Sequence, residues 1–97
     1  MTRKIRVIQS SLSKKGFQPD GSKSHHVYFR FFLNGLRTDI YTYFSHGADE
    51  AGDWLLKQMA KQVKLDRSQF LELVDCGMDY ERYAQLLLEG GHVRQSD

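Results

Sequence analysis

The sequence predicts an α+β domain, in which one antiparallel sheet layer packs against helices. Three observations lead there. Asn34-Gly35 separates two strand-like runs, "HVYFRFFL" and "LRTDIYTYF". It is the preferred two-residue hairpin turn, because both central positions need φ > 0. Ile5, Ile8 and Leu12 recur at helical spacing before the hairpin, and further apolar stripes of the same period follow it. The expected order is α-β-β-α-α-α.

Each element has a local reason. A first helix is expected over residues 3–15, with Thr2 as N-cap and Gly16 as C-cap. "GFQPDGSKS" reads as a short extended piece near Phe17 and a loop, punctuated by Pro19, Gly21 and two serines. In the hairpin, Leu33 is expected opposite Leu36. The pairing then continues through Phe31–Thr38, Arg30–Asp39, Phe29–Ile40, Tyr28–Tyr41, Val27–Thr42, His26–Tyr43 and His25–Phe44. This register sorts two faces. Val27, Phe29, Phe31, Leu33, Leu36, Ile40 and Phe44 form the core side. His26, Tyr28, Arg30, Arg37, Tyr41 and Tyr43 form the other. A slip of one residue would exchange the two sets, so burial holds the register.

Beyond Ser45-His46-Gly47 the pattern turns helical. Asp49, Glu50 and Asp53 suit a first turn through the helix dipole. Ala51, Leu55, Leu56, Met59 and Val63 supply the apolar stripe. Asp66 and Gln69 resemble a capping box ahead of Phe70, Leu73 and Val74, with Gly77 as the stop. Asp79 is expected to cap a last helix carrying Tyr83, Leu86 and Leu87 and ending at Gly90-Gly91. One domain over residues 1–91 with a flexible tail over 92–97 is the expected organisation.

Composition narrows the class. The chain has 97 residues, 40% of them hydrophobic and 27% charged, as in a soluble globular domain. No apolar run approaches the ~20 residues that span a bilayer. The basic N-terminus lacks the apolar segment of a secretory signal. The single cysteine, Cys76, excludes an internal disulfide and a cysteine-based zinc site, and it fits a cytoplasmic location. It has no basic neighbour in sequence and reads as a structural thiol. Charge is divided along the chain. Residues 1–47 hold eight bases against two acids, and residues 48–97 hold six against ten. A basic half of this kind suits phosphate-bearing partners.

A sheet covered on one face leaves the other open, and Tyr28, Tyr41 and Tyr43 there would stack on unpaired bases. Lys23, Arg30 and Arg37 would meet phosphates. The ordinary alternative is that cross-strand tyrosines only stabilise the hairpin. Histidine is the side chain that exchanges a proton near neutral pH. RNA carries its own nucleophile in the 2′-OH. Either His25 or His26 could be the base that deprotonates it, with Arg30, Lys23 or His46 stabilising developing charge. The alternative is structural, with His25 against Phe44 and His26 on Tyr43. Metal ligation by the three histidines with Asp49 or Glu50 is disfavoured, because adjacent residues of a strand point to opposite faces. No cofactor is expected.

The order of motifs adds a resemblance. A helix ending in Lys15-Gly16-Phe17 is followed by a Gly/Ser segment running into Ser24-His25-His26-Val27-Tyr28. A strand then ends near Ser45-His46-Gly47, and "MAKQVKLDRSQFLELV" (59–74) follows. Over residues 3–74 this resembles the HicA family of toxins of bacterial toxin–antitoxin systems. Lys61, Gln62, Leu65 and Phe70 fall into that family's Lys-Gln…Leu…Phe phrase. The resemblance implies a double-stranded-RNA-binding-domain-like α-β-β-β-α fold, with the stretch near Phe17 as the first strand and the helices after residue 75 lying outside the family core. It implies an mRNA-cleaving toxin that needs no metal and is neutralised by a HicB-type antitoxin. The family's catalytic histidine matches His25. Periodicity instead places His26 on the open face, and a bulge near Ser24 would reconcile the two.

Overall fold

The computed structural model describes residues 2–23, 26–45 and 47–93, with the backbone alone at residues 22 and 23. The order is β1 (Arg3–Lys4), α1 (Ile5–Lys14), β2 (Phe17–Lys23), β3 (His26–Leu33), β4 (Leu36–Ser45), β5 (Glu50–Ala51), α2 (Asp53–Gln62), α3 (Arg67–Val74) and α4 (Tyr80–Glu89). The fold is α+β. An antiparallel sheet in the order β2-β3-β4 carries its helices on one face, and β1 and β5 form a separate two-stranded ribbon.

The hairpin turn is as the sequence predicts. Asn34 and Gly35 take φ of 51° and 80°, the two left-handed positions a type I′ turn requires. Leu33 pairs with Leu36, but the register then shifts. Phe32 pairs with Arg37, while Arg30 pairs with Tyr41, Tyr28 with Tyr43 and Val27 with Phe44. Two extra residues of β4 are accommodated around Thr38 and Asp39. Thr38 holds the irregularity in place: its hydroxyl donates to the Phe31 carbonyl at 2.7 Å and accepts from the Ile40 N–H at 3.2 Å. The expected Arg30–Asp39 pair is therefore replaced. A shift of two residues is one full strand period, so the two faces survive a wrong register. Phe29, Phe31, Leu33, Ile40 and Phe44 are buried as expected. Leu36, next to the turn, is the exception at 54% exposed, on the rim of a cleft it shares with Gly91, His92 and Val93.

β2 is a full strand rather than a short piece beside a loop. Phe17 pairs with Phe31, and Pro19 sits where an edge strand needs no N–H. Between Pro19 and Ser22 the register moves by one, so Asp20 and Gly21 together oppose Tyr28, and Gly21 supplies the φ of 82°. This is a bulge the sequence reading does not anticipate; Ser24, near which one is expected, lies outside the described residues.

Two helix starts differ from expectation. α1 begins at Ile5, with Lys4 rather than Thr2 at the cap position and no side-chain cap. Arg3 and Lys4 instead pair with Ala51 and Glu50, and the Ile5 N–H donates to the Asp49 carbonyl at 2.9 Å. Asp49 and Glu50 thus precede α2, whose N-cap is Gly52. Strand pairing across the chain outweighs the local charge preference here.

The other helix ends follow their local chemistry. Asp66 and Gln69 form a complete capping box, and the Asp79 carboxylate accepts from the Arg82 N–H at 2.8 Å. After α3 the left-handed position falls on Cys76 (φ 66°), one residue before Gly77. Gly16 takes φ of 94° after α1, and a Cβ there would lie 2.8 Å from Phe31 and Tyr80 side-chain carbons.

The core runs through every layer. Ile8 and Leu12 of α1, Leu56 and Met59 of α2, Phe70 and Leu73 of α3, and Tyr83 and Leu87 of α4 are all buried in one core with the inward residues of the sheet. The Tyr83 ring stacks on Phe17 at 5.7 Å and meets Phe31 edge-on at 5.0 Å. Its hydroxyl donates to the Val63 carbonyl at 2.8 Å. The last helix is thus integral to the domain. Past α4, the His92 N–H donates to the Leu87 carbonyl and Val93 packs on the core, so packing continues into the expected tail; residues 94–97 lie outside the described residues.

Among the described residues, no helix is long and apolar enough to cross a membrane.

Candidate functional site

Strand alternation, with all helices on one face, leaves the even positions of β3 and the odd positions of β4 on the open face. Four rings gather there. Tyr28 lies 5.2 Å from Tyr43 and 5.9 Å from Tyr41, and Tyr41 lies 6.4 Å from Tyr43. The tyrosine planes are inclined to each other by only 28–45°. They form a platform rather than an interlocked cluster. His26 completes the row, edge-on to Tyr43 at 5.3 Å and 89° and 6.5 Å from Tyr28. Tyr41 is 39% exposed, and the other three rings are half-buried. Phe32, half-buried and paired with Arg37, falls on the same face by alternation and is not among the site residues expected from sequence.

Arg30 and Arg37, the described cations among the expected site residues, are bound to protein groups. The Arg30 guanidinium lies 5.0 Å from the Tyr41 ring centre. Its Nε donates to Asp20 Oδ2 at 2.6 Å, and Nη1 donates to the Thr38 carbonyl at 2.9 Å. Arg37 donates to the same Asp20 oxygen at 3.1 Å. The arginine hydrogen bond, with both positive charges beside it, holds the Asp20 carboxyl below the usual carboxylate range against its partial desolvation. The register expected from sequence gives Arg30 to Asp39 and leaves Asp20 outside the site; in the structure Arg30 pairs with Tyr41 and its side chain reaches Asp20. Only the β2 bulge, marked in sequence by Pro19-Asp20-Gly21, brings the carboxylate over.

The basic half of the chain is less free than its charge count. Lys15 is buried, and its Nζ donates to the carbonyls of Leu73, at 3.2 Å, and Met78, near the C-terminus of α3. Arg3 makes a two-pronged contact with Asp75 at 2.9 and 2.8 Å. The Arg3 hydrogen bond lowers the Asp75 pKa below its ordinary value. Cys76 is exposed rather than packed, and it lines a cleft with Arg6 and Lys14 of α1, basic neighbours invisible in sequence.

Of the predicted site residues, the structure brings His26, Tyr28, Arg30, Arg37, Tyr41 and Tyr43 to one face. His25 and His46 lie outside the described residues, as does the Lys23 side chain. The backbone of Lys23 pairs with His26, and His26 pairs with Ser45. The chain positions next to His25 and His46 are therefore aligned across one end of the sheet. Among the described residues, no three His, Cys, Asp or Glu side chains gather as metal ligands.

The Lys-Gln…Leu…Phe phrase has a structural role. Thr42, fully buried on the core side of β4, donates to Gln62 Oε1 at 2.6 Å, while Leu65 and Phe70 fill the core. Comparison of the chain with protein-family models, with curated proteins and with solved structures finds no match.

Proposed function

We propose that this domain is a HicA-like toxin: an RNA-binding, mRNA-cleaving endoribonuclease with a double-stranded-RNA-binding-domain-like fold. The observation that carries the reading is the continuous row His26–Tyr43–Tyr28–Tyr41 on the open face of the sheet, with Arg30 and Arg37 beside it. Flat rings spaced 5–6 Å apart suit splayed, unpaired bases, which stack without regard to sequence. The arginines supply charge for the backbone.

The chemistry follows from RNA itself. A histidine near the strand takes the 2′-OH proton, and O2′ attacks the adjacent phosphorus. The P–O5′ bond breaks, leaving a 2′,3′-cyclic phosphate and a 5′-hydroxyl. A proton returned to O5′ and a cation at the phosphate lower the barrier. No metal is needed for this route. His25 is the base by resemblance, and His26 is its rival, already on the aromatic face. His46 and Lys23 assist, as the resemblance and their places in the sequence suggest. The physiological partners are mRNA and a HicB-type antitoxin, and the setting is the cytoplasm.

A second reading is a non-catalytic RNA- or protein-binding module. The edge-on packing of His26 against Tyr43, which gives that histidine a structural role, favours it.

Expression of the wild type, His25→Ala and His26→Ala separates these readings, with growth arrest and RNA 5′-ends as readouts. Arrest by the wild type, with 5′-hydroxyl ends in the presence of EDTA and loss in one histidine variant, is the expected result. A wild type that neither arrests growth nor cleaves RNA removes the nuclease reading. Loss in His26→Ala alone makes His26 the base.

A further inference from the structure

We propose that Arg30 and Arg37 form a binding site for one phosphodiester group of an unpaired RNA strand, and that Asp20 occupies this site as a built-in counterion until RNA displaces it. The inference rests on the RNA reading above and adds the position of the strand and a brake on its binding.

The first argument is convergence. Two guanidiniums on neighbouring strands donate to a single carboxylate oxygen, Asp20 Oδ2, at 2.6 and 3.1 Å. A non-bridging phosphate oxygen presents the same acceptor, and a phosphate adds a second oxygen for the remaining N–H groups.

The second argument is how each partner is held. Arg30 sits on the central strand and is fixed independently of Asp20, by the Thr38 carbonyl at 2.9 Å and the Tyr41 ring. Asp20 sits on the bulge of an edge strand, next to the left-handed Gly21, and its contacts among the described residues are the two arginines. If the carboxylate leaves, Arg30 stays in place. A group whose task was to orient Arg30 would be redundant with Thr38 and Tyr41. The cluster is partly open to solvent, mainly at Arg37: the side chains of Arg37, Asp20 and Arg30 are 60%, 26% and 16% exposed.

The third argument is adjacency. Arg30 covers part of the Tyr41 ring, so a phosphate at the arginines lies within one nucleotide of a base stacked on Tyr41 or Tyr43. Only an unpaired strand can present base and phosphate to one face in this way. A duplex keeps its bases inside.

The test is fluorescence anisotropy with a short unstructured single-stranded RNA, 2′-O-methylated so that it is bound but not cleaved. The same strand in a duplex is the comparison. Wild type, Asp20→Asn, Arg37→Ala and the double variant are measured over a salt series. Removing the internal competitor makes Asp20→Asn bind the single strand roughly three- to thirtyfold more tightly. The log–log salt slope steepens by about one unit, since an arginine charge is newly neutralised by RNA. Arg37→Ala weakens binding and removes most of the gain in the double variant, and the duplex binds more weakly throughout. Weaker or unchanged binding by Asp20→Asn, with an unchanged slope, overturns the inference and leaves RNA binding standing. Tighter binding to the duplex overturns the strand assignment. Absence of binding by any form to either RNA removes the RNA reading itself. Should Asp20→Asn fail to fold, the wild type still decides. The Asp20 carboxyl carbon resonance moves toward that of a free carboxylate as RNA is added, and a resonance unmoved at saturation refutes displacement.

Discussion

Tyr83→Phe tests how α4 is tied to the rest of the fold. The substitution keeps the ring that packs on Phe17 and Phe31 and removes one oxygen, which lies 2.8 Å from the Val63 carbonyl at a fully buried position. The ring contacts survive, so the loss is that of one buried hydrogen bond with its acceptor left dry, about 1–2 kcal/mol. At ~2.1 cal/mol/K per residue, the 97-residue chain has an unfolding entropy near 0.2 kcal/mol/K, so Tm falls by about 5–10 °C. Urea unfolding followed by circular dichroism gives the free energy, and an unchanged m-value shows that the ensembles are comparable. The same hydroxyl sets a pH dependence. Burial raises the Tyr83 pKa well above its ordinary 10.0. The folded state then keeps a proton that the unfolded chain releases. This stability is complete below pH 10.0 and is lost as the pH rises beyond it toward the raised folded value. Phenylalanine has no such proton, so the difference between wild type and variant narrows above pH 10.0. A variant as stable as the wild type at neutral pH, or a difference that widens in alkali, refutes the reasoning.

Four other outcomes are expected. Gly16→Ala costs about 2–3 kcal/mol, read as a lower urea midpoint, because φ of 94° and the Phe31 and Tyr80 rings both exclude a Cβ. Lys15→Ala costs about 2–3 kcal/mol in the same assay, since buried carbonyls of Leu73 and Met78 lose their donor. Asp75→Asn lowers stability at neutral pH by at most about 1 kcal/mol, the bridge being partly exposed. In the wild type the Asp75 pKa is depressed by folding, so the gap between wild type and variant is present above the ordinary 3.8 and closes as the pH falls through the lowered value. Tyr43→Ala weakens single-stranded RNA binding by roughly 5- to 150-fold in anisotropy titrations, and Tyr43→Phe restores it, since stacking needs the ring and not the hydroxyl.

The legible parts of this chain were those governed by nearest neighbours. The Asn34-Gly35 turn, the Asp66–Gln69 capping box and the Asp79 cap each depend on groups within three residues, and each formed as expected. The two-face division of the hairpin was also legible, because alternation is a property of a single strand. Its register was not: Thr38 and Arg30 hold an irregularity through side chains that no local pattern announces. Helix starts near Thr2 and Asp49 were misplaced because pairing of residues 3–4 with 50–51 spans almost half the chain. The open-face tyrosines and His26 could be listed from periodicity, whereas Asp20 entered the site only through a bulge on a different strand.

Sequence alone therefore determined the α+β class, the hairpin and the identity of the aromatic face, since these follow from propensity and period. Tertiary structure alone decided which cations remain at that face. Lys15 turns inward to the end of α3, and Arg30 and Arg37 converge on Asp20. Charge is additive along a sequence, but its availability depends on burial and on partners brought from other elements, and only folding chooses those.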